Sequence, residues 1–574
     1  MSTQSVTSSS EVTRPTRLLA GLLFGALAAS SGIYLTKQRR RGARNTSASR
    51  RPRNKRTTTP KEDHDHDNVD QTSEAGPSAP SKATIHRPGV VRGVQGLIGN
   101  TPLMRIESLS KLTGCEILVS STVDHIREFA DSHHNASHDT YLPAHSQGKC
   151  EFLNPAGSPK DRVALQILLD AEADSLISPH VGDCVFEGTV GSTGISLATL
   201  CRAKGYRCSI VLPDDVAAEK SQLLEKLGAQ VKKVRPRGIV DKRHFVNEAR
   251  ALAAAFGGAE DEEVQTQLVD DDASALFVQQ RASSTGGDFR RRPRGFFADQ
   301  FETSSNFKAH YNGTGPEIWA QCGAASLDEV GVGDQTHYPQ LDIFVAGAGT
   351  GGTLSGVAAA LRDREAALRR KSKNREDAAG VFAVTSSLWR KLSSWTHASP
   401  APNTIQSTPP PIRIVLADPQ GSGLFNKVKH GVLYSSTEAE GTRRRHQVDT
   451  IVEGIGMNRV TKNLSFGIEM VDDAVSVKDE EAVRMSRWLS VRDGLFVGSS
   501  SAVNVVAAVR SAVKMREQWK ALGKEGRPTV VTILCDSGVR HLSKFHNDGV
   551  LAKDYGIQLP QDSMDIDISD LLQG

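Results

Sequence analysis

Four short segments of the 574-residue chain carry side chains that could do chemistry together. In NPAGSPKDR, Asn154–Arg162, a lysine (Lys160) stands where a helix is expected to start, after a turn rich in proline and glycine. A lysine near the positive end of a helix and shielded from water loses its proton more easily, which a Schiff-base lysine requires. Taken alone, the same residues describe an ordinary charged first turn on a surface. GAGTGGT, Gly347–Thr353, follows an apolar run and precedes a helical one. Backbone N–H groups and a helix dipole at such a turn hold a phosphate. Gly347, Gly349 and Gly352 also satisfy G-x-G-x-x-G, which leaves a dinucleotide site open. EGTVGSTG (Glu187–Gly194) and VGSSSAVNVV (Val497–Val506) are two further strand–glycine–helix junctions rich in hydroxyls. An NAD-dependent dehydrogenase would explain GAGTGGT but leave NPAGSPKDR and VGSSSA idle.

Such junctions need strands that end, and helices that begin, along one edge. The chain supplies that pattern from Val94 onward. CVFEGTV (184–190), YRCSIVLP (206–213), LDIFVAGAGTGGT (341–353), RIVLADP (413–419) and TVVTILCDSG (529–538) read as short buried strands. Helical runs such as ISLATLCRAK (195–204) lie between them. This alternation predicts a mostly parallel α/β architecture, with ligands beyond the carboxyl ends of the strands. Polar stretches near 123–148, 281–295 and 364–411 break the pattern and read as surface insertions, with SLWRKLSSW in the last as a short amphipathic helix.

Composition narrows the class. Hydrophobic residues are 38% and charged residues 24% of the chain, a globular mixture that excludes collagen-like, coiled-coil and multi-span membrane proteins. Seven cysteines without a CxxC pair argue against a disulfide framework and a zinc ribbon. No metal site is expected: His64 and His66, like His133, His134 and His138, lie in polar stretches that read as solvated linker. The net charge of +4 divides unevenly, since residues 1–56 carry +11 and the other 518 therefore −7. A mildly acidic body lacks the basic face that nucleic-acid binding needs. In the tail, Leu18–Leu35 is eighteen residues without a charge, followed by a strongly basic run at Lys37–Arg56. That length is near the lower limit for a membrane span. Positive charge on the C-terminal flank predicts a single N-terminal anchor with the body on the cytosolic side. The charge order is the reverse of a secretory signal, and the arginines are segregated rather than scattered as in a mitochondrial presequence. The expected division is a tail at 1–17, a transmembrane anchor at 18–35, a disordered linker at 36–92, a first α/β domain at 93–299 and a second at 300–560.

IGNTPLMRI (Ile98–Ile106), QFETSSNFKAHYNGTGPEIW (Gln300–Trp319) and EGIG (Glu453–Gly456) accompany the four segments in a fixed order. Together they resemble the pyridoxal-phosphate enzymes of the cysteine synthase and cystathionine β-synthase family, from about Gly93 to Asp548 without the insertions. Within that family the chain resembles fungal cysteine synthase-like proteins that carry an N-terminal membrane segment on the mitochondrial outer membrane. The resemblance implies a two-domain type II pyridoxal-phosphate fold, a homodimer, and conversion of O-acetyl-L-serine and sulfide to L-cysteine and acetate. It implies that Lys160 carries the cofactor as a Schiff base and serves as acid and base at Cα. Gly349, Thr350, Gly351, Gly352 and Thr353 would bind the cofactor phosphate, and Ser500 would face the pyridine nitrogen. A hydroxyl there leaves that nitrogen largely unprotonated, which favours loss of a β-group over transamination. Thr189, Gly191, Ser192, Thr193 and Gln300 would hold the substrate carboxylate, and Gly454 and Gly456 would let a loop approach the substrate. Two departures stand out. Val190-Gly191-Ser192 replaces the family's Ser-Gly-Asn, putting a shorter hydroxyl where an amide faces the cofactor's ring oxygen. Thr303-Ser304-Ser305 replaces an Asn-Pro-Ala. The alternatives are cystathionine synthesis, serine dehydration, or a membrane-tethered cofactor-binding pseudoenzyme; retention of Lys160 and of the whole phosphate loop speaks against the last.

Overall fold

Runs of β-branched and aliphatic residues bounded by glycine, aspartate or proline form the strands. The structure, a computed structural model, describes residues 91–120, 148–257, 292–323, 338–390, 410–435 and 450–572. Within these, β4 (Cys184–Gly188), β5 (Arg207–Pro213), β6 (Gln230–Val234) and β7 (Gly295–Phe297) form a parallel sheet ordered β6-β5-β4-β7. A seven-stranded sheet contains β1 (Leu103–Arg105), β2 (Glu116–Ser120), β3 (Gly148–Cys150), β8 (Ile343–Gly347), β9 (Arg413–Pro419), β10 (Asp473–Val477) and β11 (Thr529–Leu534). Its order is β10-β9-β8-β11-β2-β1-β3, parallel except for β1, which runs antiparallel to both neighbours. The mostly parallel α/β expectation is met.

Side chains on β8 alternate between two cores, as a period of two requires. Ile343 and Val345 pack with Val505, Val506 and Val530 on one face, while Phe344 and Ala346 pack with Leu354, Val357 and Ile414 on the other. In the smaller sheet β4 is buried at every position, the pattern of a strand covered on both faces. The helices that matter for the site are α1 (Lys160–Ala173), α2 (Ser192–Lys204), α3 (Ala218–Lys226), α4 (Phe245–Ala255), α5 (Ser304–Ala309), α6 (Gly352–Arg390) and α7 (Ser499–Ala521). Helix α5 runs through a π-helical turn at His310–Thr314 into a further helical segment, Gly315–Gln321.

Two expectations change. A division of the body at 299/300 follows chain order, but the sheets do not: β2 and β3 pair with β11 in the larger sheet, and β1 pairs with both of them. Strand pairing at long sequence separation decides lobe membership, and linear order carries no trace of it. Residues 364–390, expected to begin a surface insertion, continue α6 as one helix of 39 residues. The stretch after residue 363 holds no proline or glycine until Gly380, so nothing local stops the helix. The expected span Leu18–Leu35, the linker up to residue 90 and the insertion near 123–147 lie outside the described residues. Among the described residues no helix is long and apolar enough to cross a membrane.

Candidate active site

A cavity of about 930 Å³ lies beyond the carboxyl ends of strands from both sheets, lined by Thr189 after β4, Pro213 of β5, Gly347 of β8 and Cys535 after β11. Lys160 opens α1 and lines this cleft. The turn that presents it is held at each end. Asn154 donates to the Glu151 carbonyl at 2.9 Å and to its carboxylate at 2.8 Å, and accepts the Gly99 N–H at 3.0 Å. Asp161 accepts the Ala156 N–H and the Ser196 hydroxyl, each at 2.6 Å. Burial pushes the Asp161 carboxyl up to about 6. Behind the turn the Arg162 fork grips Glu151 at 2.8 and 2.9 Å and Glu317 at 2.6 and 2.8 Å. Burial alone would raise the pKa of Glu151, but the charge and hydrogen bonds of Arg162 outweigh it and hold the carboxylate below its usual range. The amine of Lys160 is lowered from the ordinary lysine value by burial, against the opposing pull of Cys535, Asp536 and Glu151.

Facing Lys160, the glycine turn between β8 and α6 lets backbone and ligand come close. A Cβ at Gly349 would sit 2.0 Å from the Gly454 carbonyl oxygen, and Gly351 has φ +84°, with Leu464 filling the space behind it. Thr350 and Thr353 line the cleft with Gly349 and Gly351. From behind, Asn306 Nδ2 lies 2.8 Å from Thr350 Oγ1, and His310 Nε2 lies 3.1 Å from Thr353 Oγ1. Asn504 accepts the Gly347 N–H at 2.8 Å and donates to the Ile533 carbonyl at 2.8 Å, tying this turn to α7 and β11. Ser500, in the first turn of α7, opens on the same cleft. The EGIG loop closes over the turn, with the Gly456 N–H on the Ala348 carbonyl at 2.9 Å.

The third junction joins β4 to α2. Gly191 caps α2 with φ 130°, and Ser192 is its first residue. Thr193 donates its hydroxyl to Gln300 Oε1 at 2.5 Å, and Gln300 Nε2 donates to Glu187 at 3.3 Å and to the Gly188 carbonyl at 3.2 Å. Burial pushes the Glu187 carboxyl up to about 8, so it carries a proton at neutral pH. Across the cleft mouth Lys220 of α3 pairs with Glu453, which also takes Lys544 at 3.3 Å. Burial opposes the charge on Glu453, yet Lys220, His541 and Lys544 hold its carboxyl down to about 2.

The residues nominated from the sequence therefore meet at one place. Lys160, Ser192, Thr189, Thr193 and Gln300 line the cleft from one side. Gly349, Thr350, Gly351, Thr353, Gly454, Gly456 and Ser500 line it from the other. Gly191 and Gly352 stand just behind, as the cap of α2 and the first residue of α6. Sequence reasoning missed Asp161, Glu187, Asn306, His310, Asn504 and the Lys220–Glu453 pair. Asn306 and His310 lie inside QFETSSNFKAHYNGTGPEIW, but their partners are 44 and 43 residues away, and spacing gives no hint of that.

A family model described as pyridoxal-phosphate dependent enzyme matches residues 147–407 and 401–536. Cysteine synthase 2 of Emericella nidulans is 46% identical over 470 residues, covering 82% of this chain and 82% of that protein. A Saccharomyces cerevisiae protein named "Putative mitochondrial cysteine synthase" is 40% identical, covering 79% of this chain and 83% of its own length. A crystal structure of an O-ureido-L-serine synthase aligns over 80% of this chain and 96% of its own, with a TM-score of 0.46 and 23% identity. The cleft suits the cofactor of that family. Its glycine turn has no room for a Cβ at Gly349, two threonine hydroxyls and a helix start face the cavity, and a half-buried lysine of lowered pKa lies opposite.

Proposed function

Because the chain belongs to the pyridoxal-phosphate-dependent enzymes, we propose that it is a cysteine synthase, replacing the acetate of O-acetyl-L-serine with sulfide to give L-cysteine. The observation that carries this reading is the convergence of Lys160, the Gly349–Thr353 turn and Ser500 on one cavity. Bound pyridoxal phosphate supplies an electron sink for the substrate's α-carbon. The rest falls to the chain. Lys160 offers an amine of lowered pKa in the cleft, able to hold the cofactor's carbonyl carbon and then to take and return the proton at Cα. Thr350, Thr353 and the N–H groups at the start of α6 would hold the phosphate. Ser500 would meet the pyridine nitrogen with a hydroxyl rather than a carboxylate, so that no acid would force a proton onto it. At the carboxylate loop the Thr193 hydroxyl and the Gln300 amide are spent on each other and on the wall. The substrate carboxylate is therefore met chiefly by N–H groups at the start of α2 and by Ser192. Incubating the purified protein with O-acetylserine, with and without sulfide, tests this directly: cysteine should appear only with both, and its absence, with serine or homocysteine turned over instead, would redirect the assignment.

The basic flank behind Leu18–Leu35 supports a single-pass anchor with the body in the cytosol. The resemblance to fungal cysteine synthase-like proteins with an N-terminal membrane segment supports the mitochondrial outer membrane as its place. Protease added to intact mitochondria should remove the body while matrix markers survive; a body protected until the inner membrane is opened would contradict this. A homodimer is the assembly the family resemblance supports, and light scattering of the purified protein measures it.

A further inference from the structure

Each threonine of the Gly349–Thr353 turn is touched from behind by a hydrogen-bonding group with a fixed or restricted direction. Asn306 Nδ2 lies 2.8 Å from Thr350 Oγ1 and 2.8 Å from the Gln300 carbonyl oxygen. A carbonyl only accepts, which settles the amide's orientation. Asn306 therefore donates to Thr350, and the proton of Thr350 stays free for the cleft. His310 is fully buried, with Nδ1 2.9 Å from Thr314 Oγ1 and Nε2 3.1 Å from Thr353 Oγ1. Burial holds this imidazole well below its usual pKa, helped by the cations Lys160 and Arg162 against Glu317. A neutral ring has one N–H, so the chain Thr314–His310–Thr353 can run in only two directions.

If Nδ1 carries the proton, Thr353 spends its own on Nε2 and turns lone pairs toward the cleft. If Nε2 carries it, Thr314 donates to Nδ1, His310 donates to Thr353, and Thr353 turns its proton toward the cleft. A phosphate accepts hydrogen bonds and is repelled by lone pairs, so only the second direction suits it. We propose that Asn306 and His310 are positioning residues for the cofactor phosphate, fixing the hydroxyls of Thr350 and Thr353 as donors into the cleft. The proposal rests on Gly349–Thr353 being the phosphate loop. Both residues come from α5 and the π-helical turn that follows it, a departure from regular helix that is frequent at functional sites. The ring has little freedom to move away, because a Cβ on Gly356 of α6 would already lie 2.8 Å from His310 Cβ.

The test compares pyridoxal phosphate with pyridoxal, which lacks the phosphate, in titrations of the apoprotein. The ratio of the two dissociation constants isolates the phosphate contact from any general loosening of the cleft. Thr353→Val and His310→Asn should each reduce that ratio about tenfold, the scale of a lost hydrogen bond to a charged group. His310→Gln, whose amide N–H reaches about as far as Nε2, should stay within about twofold of the wild type. The double variant should be no worse than Thr353→Val, because both act on one hydrogen bond. Thr314→Val, a milder change that leaves the ring in place, should cost about threefold. A wild-type ratio in His310→Asn or, where that variant does not fold, in Thr314→Val, while Thr353→Val loses its tenfold, overturns the relay and leaves the phosphate loop standing. A wild-type ratio in Thr353→Val overturns the phosphate-loop reading and the relay with it.

Discussion

The turn after β8 and the turn after β4 look alike in sequence, each a strand running through glycines and hydroxyls into a helix. They differ in where the hydroxyl protons go. At Gly349–Thr353 the threonines are approached from behind by Asn306 and His310, and in the proposed relay their protons are left for a ligand. At Thr189–Thr193 the hydroxyl of Thr193 is given to Gln300, whose amide is in turn given to Glu187 and Gly188. One turn is arranged to bind an anion with side chains. The other is a braced wall that leaves Ser192 and the N–H groups at the start of α2 to do so. Motif resemblance reports glycine geometry well and hydrogen-bond direction not at all.

The largest effect belongs to the residue both turns serve. Lys160→Ala should lose the visible absorbance of the bound cofactor and lower cysteine formation by about three orders of magnitude or more. A variant that keeps its colour and rate would break the convergence of both turns on Lys160.

Thr193→Val addresses the braced wall. It strands Gln300 Oε1, a buried acceptor, so stability should fall by about 1–3 kcal/mol while the affinity ratio for pyridoxal phosphate over pyridoxal is unchanged. Loss of phosphate affinity without loss of stability would erase the distinction between the turns.

Glu187 gives the wall a pH signature. Its folded pKa, about 8 against 4.5 unfolded, means that the fold binds a proton the unfolded chain does not. Its contribution is full below pH 4.5 and is lost as pH rises through about 8. Glu187→Gln keeps the amide-like shape without titrating, so its melting temperature should fall less over that window than the wild type's. Parallel curves would show that Glu187 does not carry a proton in the fold.

The smallest change is Ser192→Asn. Restoring an amide at this position should leave cofactor affinity at least as tight and raise the rate of acetate release from O-acetylserine severalfold, short of the roughly tenfold or more that a full hydrogen bond to a charged oxygen is worth. A markedly slower variant, followed by stopped flow, would mean that the serine is matched to another substrate.

How much of this was readable from the chain depends on range. The strands β4, β5, β8, β9 and β11 and the residues that follow them show themselves through local apolar runs and glycines, whereas the roles of the cleft residues from Lys160 to Ser500 come from the family resemblance of their motifs. The pairing of β2 and β3 with β11 does not show itself, because β2 and β11 are separated by about four hundred residues and strand partners leave no periodic mark. Beyond residue 363 the charge of helix α6 reads as loop, although its lysines, arginines and alanines favour helix. His310 and Asn306 stood in plain view inside a quoted motif. Their meaning lies in which hydroxyl they touch, and only the fold brings Thr350 and Thr353 to them.

The central claim is that Lys160 holds the cofactor in this cleft. Borohydride reduction of the holoenzyme, followed by proteolysis and mass mapping, tests it directly. One phosphopyridoxyl label is expected, on the peptide that contains Lys160. A label on Lys220, Lys544 or any other lysine, with the Lys160 peptide unmodified, would contradict it.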